Sequence, residues 1–195
     1  MGSRRHSDHY TKKAQQAGYA ARSVYKLDEI NTKHRLFRRG QRVVDLGCAP
    51  GSWLKYIAQR VGKQGLAIGI DRTEVEPFAP NICTFVGDIY EFPRVELLDA
   101  AGGPIDVLTS DMAPDTTGNR FTDHVRSIAL CEVALDIALT MLKPGGSFVC
   151  KVFEGPDLHA YIQTVRAHFT TVKRMKPKST RAESVELFVI GLTKK

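Results

Sequence analysis

Two rhythms of hydrophobic spacing alternate along the chain. Short apolar runs at Gln41 to Leu46, Leu66 to Ile70, Ile82 to Val86, Ile105 to Thr109 and Ser147 to Phe153 read as buried strands. Between them lie stretches with apolar residues every three or four positions, the spacing of helices packed on a sheet. Leu54, Ile57, Ala58 and Val61 mark one such face from Ser52 to about Val61. A longer, largely apolar helix is predicted from about His124 to Leu142, stopped by Lys143-Pro144-Gly145-Gly146. Asp157 to Phe169 gives a further helix, and Thr170 to Met175 and Val185 to Leu192 give two more strands. Upstream, Val24, Leu27, Ile30, Leu36 and Phe37 follow helical spacing between Ala20 and Phe37, with Ser23 placed as a cap. Pro77 and Pro80 leave little room for a long helix before the third strand. Residues 1 to 18 are polar without an apolar period and are expected to order only on binding. Strand alternating with helix predicts an α/β fold: a doubly wound, mostly parallel, seven-stranded sheet with helices on both faces.

Such sheets bind ligands outside the carboxyl ends of their strands, and chemistry-bearing residues gather at those ends here. The stretch Val43 to Trp53, VVDLGCAPGSW, carries a strand through a Gly-x-x-x-Gly turn into a helix N-terminus. Three successive strands finish on Asp45, Asp71 and Asp88. Asp71 stands where these sheets accept hydrogen bonds from ribose hydroxyls. The turn lacks the G-x-G-x-x-G pattern, and no G-x-x-x-x-G-K-[ST] loop exists, which argues against a dinucleotide dehydrogenase and a phosphate-loop NTPase. Ser110-Asp111-Met112-Ala113-Pro114 ends the fourth strand and leads into a polar loop, Asp115 to Arg120, suited to a substrate-facing lid. Lys151 interrupts the apolar run Phe148 to Phe153. Burying an unpaired ammonium costs on the order of several kcal/mol, so a lysine in a central strand points to function. Lys26, by contrast, looks locally like a solvated helix lysine.

Composition narrows the class. Apolar residues make up 43% and charged residues 25% of 195 positions, the balance of one globular domain, and no run is long enough for a membrane span. The expected organisation is a basic N-terminal extension over residues 1–19 and one domain over 20–195. Without an apolar signal core, the expected location is cytoplasmic. Cys48, Cys83, Cys131 and Cys150 are scattered and read as reduced thiols, and the histidines lack ligand spacing, so no metal is expected. The net charge of +7 is unevenly placed. Residues 1 to 42 hold eleven Lys or Arg against three acids, and the remainder is close to neutral. Lys173 to Arg181 adds five basic residues with no acid. A neutral body behind basic segments suggests an enzyme acting on a polyanion, most simply nucleic acid.

Together, RSVYKLDEI, DLGCAPGSW, IGIDR, VGDI, SDMAP, KPGGSFVCKVFEG and SVELFVIG resemble the FtsJ/RrmJ-type RNA 2′-O-methyltransferases, from about Tyr10 to the C-terminus. The resemblance implies a Rossmann-like methyltransferase sheet and S-adenosyl-L-methionine as cofactor. It implies a catalytic set of Lys26, Asp111, Lys151 and Glu186, with Lys151 as general base, Asp111 orienting it, and Lys26 and Glu186 holding the ribose. Cofactor binding is implied for Gly47, Gly51, Trp53, Asp71, Asp88 and Asp111. Within the family, the likeness is strongest to the bacterial member that methylates a uridine ribose in the A-loop of large-subunit ribosomal RNA. The implied partner is therefore ribosomal RNA, within the large subunit, contacted by basic residues of 1–42 and 173–181 of a monomer. A tRNA substrate, or a non-catalytic RNA-binding assembly role, are the alternatives. Two departures from the family stand out: Cys48 and Ser52 replace Ala and Gly in the turn, and Asp115 replaces Asn.

Overall fold

The computed structural model describes residues 9–195. Strands β1 (Arg42–Leu46), β2 (Leu66–Asp71), β3 (Ile82–Val86), β4 (Ile105–Ser110), β5 (Leu142–Phe153), β6 (Phe169–Met175) and β7 (Glu186–Lys194) form one sheet, ordered β3-β2-β1-β4-β5-β7-β6. The first five strands pair in parallel. β7 runs antiparallel between β5 and β6. The helices are α1 (His9–Gln16), α2 (Val24–His34), α3 (Ser52–Val61), α4 (Arg94–Ala101), α5 (Arg120–Met141) and α6 (Leu158–His168).

Alternation along the strands divides the core in two. Val43, Ala67, Val107, Val149, Phe188 and Ile190 turn to one face, where α2 and α3 cover them. Val44, Leu46, Ile68, Leu108, Phe148 and Val189 turn to the other, against α4, α5 and α6. Burial on both faces explains why the central strands are nearly uniformly apolar. β1 has β2 on one side and β4 on the other, so successive connections leave in opposite directions from this point. That switch opens a crevice at the carboxyl ends of β1 and β4.

Several elements depart from the periodicity reading. The described part of the basic extension is helical: Ala14 of α1 is buried, and Tyr10 meets Tyr25 of α2 at 5.6 Å between ring centroids. One small residue gave no apolar period, so this helix rests on ring and cation contacts, including Lys13 4.8 Å from the Tyr25 ring centre. The expected N-terminal residues 1–8 lie outside the described residues. α2 stops at His34, where Arg35 takes a left-handed conformation (φ 52°). The Ser23 side chain does not cap α2. α4 leaves no hydrophobic period in the sequence because only Leu97 and Ala101 of its eight residues are buried. α5 begins four residues before His124, since Asn119 caps it by accepting from Phe121 N at 3.1 Å and Thr122 N at 3.0 Å. Its next buried residues, Asp123 and His124, are polar and hid the start from a hydrophobic count. Among the described residues no helix is long and apolar enough to cross a membrane.

Replacing Asn119 with Ala should remove that cap and lower unfolding stability by about 1 kcal/mol. A denaturant titration reading the midpoint at unchanged slope checks it.

Candidate active site

A cavity of about 620 Å³ fills the crevice beyond β1, β2, β3 and β4. Its wall includes Gly47, Asp71, Asp88, Tyr90, Asp111 and Met112. Gly47 has φ 75°, and a Cβ there would stand 2.6 Å from Met112 Cγ, so only glycine lets the end of β1 approach the segment after β4. Asp71 ties the turn together: Oδ2 accepts from Ala49 N at 3.0 Å and Oδ1 from Thr73 N at 2.8 Å. Asp88 Oδ1 accepts from Tyr90 N at 3.0 Å. Carboxylate oxygens each offer two acceptor positions, so Asp71, Asp88 and Asp111 retain capacity for a ligand.

Two residues expected at this turn stand back from the cavity. Gly51 is the residue before α3, with φ 95°, and packs toward Val75 and Phe78. Trp53 is buried, with its ring 5.8 Å from that of Phe188, and its indole N–H donates to the Ser23 carbonyl at 2.9 Å. The Trp53 ring is directed toward Phe188 of β7 in the core rather than into the crevice. Ser52 has a similar task, accepting from Ala21 N at 2.7 Å. Cys48 is buried against Gly69, where a Cβ would lie 2.7 Å from its sulfur. These contacts give both turn departures a packing role.

The four residues of the implied catalytic set form two ion pairs. Lys151, 8% exposed, places Nζ 3.1 Å from Asp111 Oδ1 and donates to the Asp111 carbonyl at 2.5 Å. The contact with Oδ1 is a charge contact rather than an aligned hydrogen bond. Lys26 of α2 pairs with Glu186 at the start of β7, both nearly buried. In the antiparallel ladder Lys151 opposes Phe188 and Phe153 opposes Glu186. Residues two apart share a face, so Lys151 and Glu186 are diagonal neighbours on the side covered by α2. Asp111 belongs to both constellations: it lines the cavity and holds Lys151.

Further charged residues shape the site. Asp45, one position before the end of β1, is fully buried; its Oδ1 accepts from the Thr109 hydroxyl at 2.7 Å while Oδ2 has no partner. Burial, reinforced by the charges of Asp111 and Asp71 and only partly offset by Thr109, pushes its carboxyl up to about 8. Its position at a strand end was visible, but its lack of a counter-charge was not. Arg72 and Arg126 also line the cavity. Arg72 lies 3.9 Å from the exposed Asp115 carboxylate, and Arg126 donates to the Asp115 carbonyl at 3.1 Å. The extra charge of Asp115 thus faces Arg72, while Arg126 holds its backbone. The expected lid is pinned at its far end, where Asp123 accepts from Thr117 and Gly118.

A doubly wound sheet with an antiparallel seventh strand, its crevice walled by glycine backbone and strand-end acids, is built to hold a small ligand at its switch point, and the family match makes it a methyltransferase. The family model of FtsJ-like methyltransferases matches residues 19–194, and the chain belongs to that family. It is 52% identical over 189 residues to "Ribosomal RNA large subunit methyltransferase E" of Desulfatibacillum aliphaticivorans, covering 96% of this chain and 91% of the relative. It is 50% identical over 193 residues to the protein of the same name from Desulfosudis oleivorans, covering 98% and 93%. Among solved structures, one described as a ribosomal RNA methyltransferase of Plasmodium falciparum superposes with a TM-score of 0.81 at 26% identity, covering 90% of this chain and 98% of that one.

The Asp45 environment makes stability depend on pH. Because its folded pKa lies above the unfolded value near 3.8, the folded state keeps a proton that the unfolded state releases. Its contribution is present below that unfolded value and is lost as pH rises to about 8. The Asp45→Asn variant should show a flatter decline of thermal midpoint over this window than the parent, measured in buffers of constant ionic strength.

Proposed function

We propose that the protein transfers a methyl group from S-adenosyl-L-methionine to a ribose 2′-hydroxyl of large-subunit ribosomal RNA, at a uridine of the A-loop. The observation that carries this reading is the Lys151–Asp111 pair at the cavity wall, with the Lys26–Glu186 pair on the same face of the sheet. The relatives' shared name supplies the RNA class. S-adenosyl-L-methionine, when bound, supplies a methyl group on a positively charged sulfur. The donor set fits it: Asp71 and Asp88 offer acceptors for ribose hydroxyls and amines, Asp111 offers negative charge, and Gly47 and Gly87 leave bare backbone. Gly51 and Trp53 would contribute by shaping the turn, without a side-chain contact to the donor.

A ribose hydroxyl is a weak nucleophile until it is held in line and relieved of its proton. Once its own ammonium proton has left to solvent, Lys151 Nζ accepts that proton, and Asp111 fixes the amine so that its lone pair has one direction. Lys26 donates to the ribose oxygen and stabilises the charge that develops there, while Glu186 keeps Lys26 from swinging into solvent. All four side chains come from one chain, which suits a monomer.

The basic segments are assembled into one surface. Glu29 accepts from Lys178 N at 2.7 Å and Ser179 N at 2.9 Å, fastening the segment after β6 to α2. Arg22 donates to the Ser179 carbonyl. A groove results, lined by Lys13, Lys33, Arg174, Lys176 and Lys178. Its acids are engaged internally, Glu29 as above and Asp28 with Tyr56 and Arg60. The exposed cations are suited to RNA phosphates.

Labelled methyl transfer to naked large-subunit rRNA, tRNA and assembled large subunits, with the modified nucleotide mapped, tests the substrate. Label at an A-loop uridine is expected; label only on tRNA, or none on any RNA with donor bound, overturns it. Lys151→Ala should lower the transfer rate by about 100-fold or more with donor affinity retained, and full activity removes Lys151 as base. Charge reversal at Lys176 and Lys178 should weaken RNA binding and flatten its dependence on salt, read from affinity against salt concentration.

A further inference from the structure

The carboxyl end of β5 has lost a strand neighbour. β4 pairs with β5 as far as Ser110 opposite Cys150, and the chain then turns away so that Asp111 can meet the Lys151 amine. On the other side β7 continues to Glu186 opposite Phe153. In an antiparallel pair, alternate residues turn their backbone groups to opposite edges. Lys151 and Phe153 have the same parity, so their groups on the vacated edge need partners from elsewhere.

Helix α5 supplies them from a single stripe. The Cys131 thiol donates to the Lys151 carbonyl at 3.1 Å. One turn earlier, the Ser127 hydroxyl accepts from Phe153 N at 3.0 Å. A further turn back, His124 Nδ1 lies 2.9 Å from the Phe153 carbonyl, and its Nε2 accepts from Asp157 N at 3.1 Å. The Phe153 carbonyl can only accept, so Nδ1–H is the donor to it, while Nε2 meets both the backbone N–H of Asp157 and, at 3.3 Å, its carboxylate. All three side chains are buried. The hydrogen bond with Cys150, followed by burial, raises the Cys131 pKa, which keeps the thiol a donor. Past Cys131 the same stripe turns apolar, through Ala134, Leu135 and Ala138, alongside the part of β5 that β4 still covers. Polarity on α5 therefore changes near where strand pairing ends. Gly155 completes the arrangement, because a Cβ there would lie 2.3 Å from the His124 ring.

We propose that Ser127 and His124 are positioning residues for methyl transfer: they replace the missing strand and hold the β5 backbone so that Lys151 stays aligned with Asp111. The inference rests on the reading of Lys151 as the base. Neither side chain lines the cavity, and both act through the main chain of Phe153, two residues from Lys151. A small displacement of a catalytic group is enough to slow a reaction that depends on alignment, while substrate binding elsewhere is unaffected.

The test uses the full-length protein, S-adenosyl-L-methionine and the RNA accepted in the assay above. Ser127→Ala should lower kcat by about tenfold with KM for both substrates within about twofold. Two His124 variants keep the proposal falsifiable if Ser127→Ala does not fold. His124→Asn retains a donor at the Nδ1 position for the Phe153 carbonyl, whereas the longer His124→Gln amide sits at the Nε2 position, where its oxygen accepts from Asp157 N and its NH2 stands beyond the Phe153 carbonyl. His124→Asn should keep kcat within about threefold of the parent and His124→Gln should fall about tenfold, with KM unchanged in both. Equal kcat in the two His124 variants, or full kcat in folded Ser127→Ala, overturns the positioning role. If Lys151→Ala is itself fully active, the base assignment fails first, and the two failures are thereby distinct.

Discussion

One buried ammonium sets the terms for this molecule. Lys151 lies inside the central sheet, where an unpaired charge is far more costly than any single packing contact is favourable. It is tolerable because the chain leaves β4 at Ser110 and brings Asp111 to meet it. That same departure opens the cavity, removes the strand beside Phe153, and calls for polar side chains on α5. The second ion pair, Lys26 with Glu186, follows the same economy, since each nearly buried charge has a neighbour of opposite sign. Asp45 is the exception: it is buried without a cation, and the fold meets this by holding the carboxyl protonated over most of the ordinary range.

Charge outside the site is arranged by subtraction. The acids of α2 are spent on internal contacts: Glu29 on the backbone of the segment after β6, Asp28 on Tyr56 and Arg60. What remains facing solvent is basic, contributed by α1, α2 and the end of β6. The chain's net charge thus becomes a local field beside the proposed site rather than a general property of the surface.

Strand positions and the strand-end acids Asp71, Asp88 and Asp111 were legible because burial on both faces and the carboxyl-end rule write directly into sequence order. Lys151 was legible because a lysine in an apolar run conflicts with its neighbours. Lys26 was not, since its partner Glu186 is distant in sequence and only family resemblance joined the two. α4 and α1 escaped because each buries one or two residues, too few to establish a period. Trp53 was read by its place in a motif, yet a side chain in the first turn of a helix takes its direction from what that turn packs against. The α5 stripe was hidden for a different reason: His124, Ser127 and Cys131 look like minor interruptions of an apolar face until the end of β4 is known.

The contacts of Ser52 and Trp53 have a mechanical consequence. Both residues open α3 directly after the turn that follows β1, and both grip the chain just ahead of Lys26, one at Ala21 N and the other at the Ser23 carbonyl. That turn and the helix carrying Lys26 are therefore tied into one unit, anchored in the core against Phe188. In the function proposed above, the donor and the ribose would be kept in mutual register by a pair of hydrogen bonds that touches neither.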